Sequence, residues 1–120
     1  PAVFRRFDEL PPQPPAAPAE ACEEMTAALR CGDVRALAAG LHNDLQEAAL
    51  SLCPELADVI ATAERAGALR AIVSGSGPTV AALVPDSGSA ACVARALETS
   101  GPVRGTVRVD APVAGARMVG

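Results

Sequence analysis

Residues 72–84 read Ile-Val-Ser-Gly-Ser-Gly-Pro-Thr-Val-Ala-Ala-Leu-Val, IVSGSGPTVAALV, and the reading of this stretch decides the fold. The runs ALRAIVS (68–74) and TVAALV (79–84) are apolar and partly β-branched, and a segment of glycine, proline and small hydroxyl residues separates them. That pattern predicts two adjacent strands joined by a turn. Gly75 and Gly77 carry no Cβ and are free to take positive φ. In that conformation successive backbone amides form an anion-binding nest, with the hydroxyls of Ser74, Ser76 and Thr79 alongside. The residues alone leave two readings open, a plain turn and a loop that approaches a phosphate.

The phosphate and nucleophile motifs with fixed spacing do not settle the choice. A phosphate loop ends in lysine, and this chain has none. Val80 stands where a dinucleotide fingerprint requires its third glycine. Neither Ser74 nor Ser76 has glycines two positions before and after it, so no nucleophile elbow is present.

Upstream of the stretch the apolar period is helical. Val3, Phe4, Phe7 and Leu10 predict a short amphipathic helix over 2–10, and PPQPPAAP (11–18) cannot continue it. Pro18 suits the first turn of a helix running to about Arg30, with Cys22, Met25 and Leu29 on one side, and Gly32 stops it. Asp33 is placed to cap the next helix, in which Val34, Leu37, Ala38 and Leu41 share a face. A turn or two follows in LQEAALSL. Pro54 then opens a helix to Arg65 with Leu56, Val59, Ile60 and Ala63 as its buried stripe, and Gly67 provides the left-handed end.

Downstream, residues 86–101 predict a helix with Ala90, Val93, Ala94 and Leu97 inward. VRGTVRV (103–109) alternates, placing Val103, Val107 and Val109 on one face, and a last strand is expected near 116–119. The expected architecture is α+β: a two-layer sandwich in which a four-stranded, mainly antiparallel sheet carries helices on one face, with ferredoxin-like character.

Bulk composition excludes several classes of function. At 120 residues the chain has the size of one domain, and with 50% hydrophobic residues and a mean hydropathy of +0.26 it can bury a core. Trp and Tyr are absent and only two Phe are present, so that core must be built from Ala, Val, Leu and Ile. The net charge of −4 and the missing aromatic platform argue against a nucleic-acid partner. No apolar run approaches the roughly 18 residues of a membrane span. The chain opens at Pro1, directly in an amphipathic segment, which reads as a start inside a longer protein of the cytoplasm. Cys22, Cys31, Cys53 and Cys92 form no CxxC pair and, with the single His42, no zinc pattern; buried, reduced thiols are expected and no metal site.

A second candidate segment is LHNDLQEAAL (41–50), which holds the chain's only His and only Asn. Asn43 or Asp44 suits the N-cap of the following turn, and Glu47 lies at capping-box distance from Asp44. The alternative places Asn43 and Asp44 at a helix break facing a cleft. His42 has no evident acid or nucleophile partner, so a catalytic dyad is not expected. Glu23 with Glu24, and Arg104 with Arg108, read as solvated faces.

Taken together, HNDLQEAALSLCPEL, the spacer helix ending in AGALRA, and IVSGSGPTVAALV resemble the C-terminal part of the GHMP small-molecule kinases. The opening PAVFRRFDEL and the closing PVAGARMV extend the resemblance over nearly the whole chain. The SGSGPT loop alone marks the superfamily, and the ND-L---AL pattern upstream of PEL narrows it to a branch whose acceptor is a cytidyl-linked methylerythritol. What the resemblance implies is a kinase of two domains with a cleft between them. It would move the ATP γ-phosphoryl group to an alcohol hydroxyl with Mg²⁺, its ATP-phosphate loop, catalytic aspartate and lysine belonging to an N-terminal domain that is this chain's partner. No catalytic residue is then expected in the 120 residues, and the fragment alone should be inactive. Ser74, Gly75, Ser76, Gly77 and Thr79 would supply part of the phosphate and substrate cleft. Cys53 stands where the family carries an arginine-like residue before the proline of PEL. The rival readings are another GHMP kinase with a different small alcohol, and a non-catalytic α+β module for binding or dimerisation.

Overall fold

A computed structural model describes residues 1–11 and 19–111 of the chain. In chain order its elements are α1 (Ala2–Glu9), α2 (Ala19–Cys31), α3 (Val34–Gly40), α4 (Gln46–Leu52), α5 (Glu55–Arg65), β1 (Arg70–Val73), β2 (Val80–Leu83) and α6 (Ser87–Thr99). Each helix falls within a residue or two of its expected place. The Asp33 carboxylate accepts from the amides of Arg35 and Ala36 at 3.1 and 3.0 Å and so starts α3. Asp86 does the same for α6, accepting from the Ser89 amide at 2.8 Å and the Ser89 hydroxyl at 3.1 Å. Those bonds hold its carboxyl below the ordinary carboxylate value.

β1 and β2 form an antiparallel pair in which Arg70 faces Leu83, Ala71 faces Ala82, Ile72 faces Ala81 and Val73 faces Val80. With a period of two, Ala71, Val73, Val80 and Ala82 share one face. Helices cover that face. One cluster joins Val59 and Ala63 of α5, Ala68 and Ala71, and Val93 and Leu97 of α6. A second joins Ala49 of α4, Leu56 of α5 and Val73, with Val3 of α1 packed against it. α1 is fastened to α4 by Arg6, whose Nε donates to the Ser51 hydroxyl at 3.1 Å. Among the described residues the buried apolar positions are largely alanine: Ala28, Ala38, Ala48, Ala49, Ala63, Ala68 and Ala71 stand with Leu56, Val59, Val73, Val93 and Leu97.

The expected α+β class with helices on one face of a sheet agrees with this arrangement, but the described residues form a sheet of two strands rather than four. Residues 103–109 are not hydrogen-bonded into it. Val103 packs at the margin of the α5–α6 cluster, whereas Val107 and Val109 are 89% and 83% exposed. The alternation is real, yet among the described residues no free strand edge lies against it. The expected strand at 116–119 and the proline-rich linker over 12–18 lie outside the described residues.

Two further expectations need correction. Among the described cysteines, Cys31 and Cys92 are exposed and Cys53 is half-buried, all with free thiols, while the Cys22 side chain lies outside what is described. Among the described side chains of α2 the buried one is Ala28, while Leu29 is 62% exposed. Cys31 is the last residue of α2 and Cys92 lies one position off the inward Val93 of α6, so neither is covered, while in α2 the small Ala28 faces inward and Leu29 is left at the margin.

Candidate functional site

The turn between β1 and β2 is closed by its own backbone. The Ser74 amide donates to the Thr79 carbonyl at 2.8 Å, and the Gly77 amide donates to the Ser74 carbonyl at 3.0 Å. Gly75 and Gly77 have φ of +57° and +71°, the left-handed conformation expected for them, and the Gly77–Pro78 peptide is cis. A Cβ on Gly77 would stand 3.0 Å from Val73 Cγ1 and 3.8 Å from Leu56 Cδ1, whereas one on Gly75 would meet nothing within 4 Å. Gly77 therefore needs both its φ and its smallness, and Gly75 needs only its φ.

Ser74, Gly75, Ser76 and Thr79 are exposed and Gly77 is half-buried. Among the described residues, none bonds the amides of Gly75, Ser76 or Thr79, or the hydroxyls of Ser74, Ser76 and Thr79. The loop thus presents a set of neutral donors to solvent, without a charged side chain of its own. Such a surface suits an anion's oxygen atoms better than a cation.

Asn43 reaches this loop from the start of α4. Its Nδ2 donates to the carbonyl oxygens of Val73 at 2.7 Å and Gly75 at 2.9 Å, and its Oδ1 accepts from the Leu45 amide at 3.1 Å. The three partners fix the amide's orientation, because a flipped group would set its oxygen against two carbonyl oxygens. One residue therefore both shapes the turn into α4 and holds the loop. Asp44 does neither: its Oδ1 pairs with His42 Nε2 at 2.8 Å, with both side chains more than half exposed. His42 does have an acid neighbour, contrary to expectation, but no nucleophile accompanies the pair.

Two residues that the sequence did not single out complete the support. Gln46 Oε1 accepts from the Val73 amide at 2.9 Å, and Glu64 Oε1 accepts from the Ala71 amide at 3.1 Å. The outward-facing backbone groups of β1 are thus met by side chains of α4 and α5 where a neighbouring strand would otherwise stand. A glutamine beside the buried pair Ala48 and Ala49 was the available signal. Cys53 closes α4, and its Sγ donates to Glu55 Oε2 at 3.4 Å. That bond, with the nearby negative charge, pushes the thiol pKa up from its ordinary value.

Among the described residues no group of three or more His, Cys, Asp or Glu is placed to hold a metal ion, and no helix is long and apolar enough to cross a membrane. Shallow depressions lie beside Arg35 and Arg70 and between α2 and α3, and the loop lines neither of these. The loop is an open wall, not an enclosed pocket.

Comparison with known proteins places this geometry in context. The family profile described as GHMP kinases C terminal matches residues 19–103, which span the loop, its supporting helices and α6. A 4-diphosphocytidyl-2-C-methyl-D-erythritol kinase of Thermobifida fusca is 46% identical over 117 residues, covering 98% of this chain and 38% of the relative. The enzymes of the same name from Streptomyces coelicolor and Cutibacterium acnes are 46% and 44% identical, each covering 99% of this chain and 40% and 38% of their own lengths. The chain thus spans about two fifths of the length of the curated relatives it matches. That profile covers well over half of the chain, and the chain belongs to the GHMP kinase C-terminal family.

Proposed function

We propose that this chain is the C-terminal domain of an ATP-dependent kinase that phosphorylates the 2-hydroxyl of 4-diphosphocytidyl-2-C-methyl-D-erythritol, a step of non-mevalonate isoprenoid precursor synthesis in the bacterial cytoplasm. The observation that carries the reading is the 46% identity to a kinase of that name across 98% of the chain. In this proposal residues 1–120 form one domain, and the ATP-binding and catalytic groups lie in an N-terminal domain that closes the cleft from the other side.

Ser74, Gly75, Ser76, Gly77 and Thr79 are the phosphate and substrate wall. Phosphoryl transfer relies on positioning and on stabilising charge spread over the phosphoryl oxygens. Donors already oriented by a closed turn do this without reorganising during the reaction. The amides of Gly75 and Ser76 supply such donors, and the tight approach permitted by Gly77 keeps the loop flat against Val73. Mg²⁺ would neutralise charge on the nucleotide phosphates when bound, but the loop offers no carboxylate to hold it. Its ligands are assigned to the N-terminal domain, as is the main binding of ATP. Asp44, exposed and paired with His42, is left outside the cleft in this reading.

The full four-stranded sheet is part of the same proposal. β1 cannot accept another strand, because Gln46 and Glu64 occupy its outer edge. Growth is therefore through β2, with 103–109 as an outer strand of the completed sheet.

The test is a coupled assay of ATP-dependent phosphorylation by the full-length protein on cytidyl-linked methylerythritol, homoserine, mevalonate and galactose. Turnover should be highest on the first, and the 120-residue chain alone should show none. Preference for another alcohol would shift the assignment to a different GHMP kinase. Turnover by the isolated chain would refute the division of labour between the domains.

A further inference from the structure

Among the described residues three side chains hydrogen-bond the backbone that leads into the Ser74–Thr79 loop, and one of them differs in kind from the others. Gln46 and Glu64 each accept a single bond from β1, and so act on the strand. Asn43 donates to Val73, the last residue of β1, and beyond it to Gly75, and so acts on the loop itself. By holding these two carbonyl oxygens toward α4, it sets the Val73–Ser74 and Gly75–Ser76 peptide planes. The Gly75–Ser76 peptide is trans, so the free Ser76 amide points away from the Asn43 side chain.

From this geometry we infer that Asn43 is the positioning residue of the loop: it fixes the direction of the Ser76 amide without touching the ligand that amide would bind. The chemistry requires an amide at this place. Both N–H bonds of Nδ2 are used on carbonyl oxygens while Oδ1 is used on the Leu45 amide, so the residue must donate twice and accept once at a short reach. Aspartate has the same shape and keeps the acceptor, but sets a carboxylate against two carbonyl oxygens. Serine keeps an acceptor for the turn and is too short to reach the loop. Substitutions at this one position therefore separate the start of α4 from the hold on the loop.

The kinetic part of the inference rests on the kinase reading above, and the structural part does not. The experiment uses the full-length protein with Asn43→Asp, Asn43→Ser and Asn43→Ala. Hydrogen exchange and amide chemical shifts of Gly75, Ser76 and Gly77 are measured without nucleotide, and steady-state kinetics between pH 5.5 and 8 follow. The expected result for Asn43→Asp is faster exchange and shifted amides confined to the loop, with α5 and α6 unchanged. Catalytic efficiency, kcat/KM, should fall by about 10- to 100-fold, the usual effect of a misplaced binding group. As pH falls, the ratio of Asn43→Asp to wild-type activity should rise, since a carboxyl facing two carbonyl oxygens takes up a proton above its usual range and regains one donor. Asn43→Ala should show no such recovery. A merely structural asparagine would give no pH-dependent ratio. Loop amides that match wild type in Asn43→Asp, or in Asn43→Ser if the aspartate variant does not fold, would overturn the inference. Altered loop amides with unchanged kinetics would leave the positioning role in place and remove the loop from the phosphoryl-transfer cleft.

Discussion

Replacing each loop glycine by alanine separates backbone strain from packing. At Gly75, φ is +57° and a Cβ would meet nothing within 4 Å, so only the backbone term operates. A non-glycine residue in the left-handed region costs about 1–2 kcal/mol. Stiffening of the unfolded chain returns about 0.4–1 kcal/mol of this. Gly75→Ala should therefore destabilise by about 1 kcal/mol. At Gly77 φ is +71° and the same backbone term applies, but the new Cβ stands 3.0 Å from Val73 Cγ1. Val73 is fully buried at 0% exposure and cannot swing aside, and Leu56 closes the other side. Overpacking of this kind adds about 1–3 kcal/mol, for a total of about 2–4 kcal/mol. Urea unfolding followed by far-UV circular dichroism measures both, since the absence of Trp and Tyr leaves little intrinsic fluorescence to follow. The midpoint for Gly77→Ala should lie clearly below that for Gly75→Ala. Equal losses, or the reverse order, would refute the argument that Gly77 is held by contact as well as by φ.

Other substitutions test the supporting bonds. Glu64→Leu leaves the Ala71 amide without an acceptor and should cost about 1–3 kcal/mol, whereas Glu64→Gln, which keeps a carbonyl, should cost well under half as much in the same unfolding assay. Thiol alkylation should proceed readily at the exposed Cys31 and Cys92 and lag at Cys53, whose raised pKa leaves little thiolate near neutrality; peptide mapping after a short maleimide pulse, repeated at higher pH, should show Cys53 catching up. Asp86 has a folded pKa below its ordinary 3.8, so its contribution is present above that value and is lost as pH falls through the lower folded one. The melting temperatures of wild type and Asp86→Asn should therefore differ most near neutrality and converge in acid.

The helices were legible because their signals are local. Asp33 and Asp86 sit at the starts of α3 and α6, and the Leu56, Val59 and Ala63 spacing marks the buried side of α5 before any tertiary contact is known. The β1–β2 pair was legible for the same reason, with Gly75 and Gly77 at the positions that need positive φ. The alternation at 103–109 predicts a strand's conformation, but pairing depends on which edge is free, and β1's edge is taken by Gln46 and Glu64 from 27 and 7 residues away. No local pattern contains that information. The site shows the same divide. The loop residues could be named from composition and chain order, and Asn43 from its uniqueness, but its reach across 30 residues to Val73 is a tertiary fact. Its neighbour Asp44, equally eligible by sequence, turns to His42 instead.

The alanine-built interior changes what a mutational scan of this domain can report. Truncation scanning assumes that a core position has something to lose, yet Ala48 and Ala63, both at 0% exposure, are already as small as a side-chain-bearing residue can be. A conventional alanine scan would pass over most of the buried helix surfaces in silence and would mark only the few Leu and Val positions. The informative series runs the other way, enlarging each buried alanine by one or two methyl groups. In a closely approached interior each such step forces side chains off rotamer or helices apart, at about 1–3 kcal/mol. Tolerance maps of this domain should show sharp penalties for added volume at Ala48, Ala49, Ala63 and Ala71, and none at exposed Ala57 or Ala81.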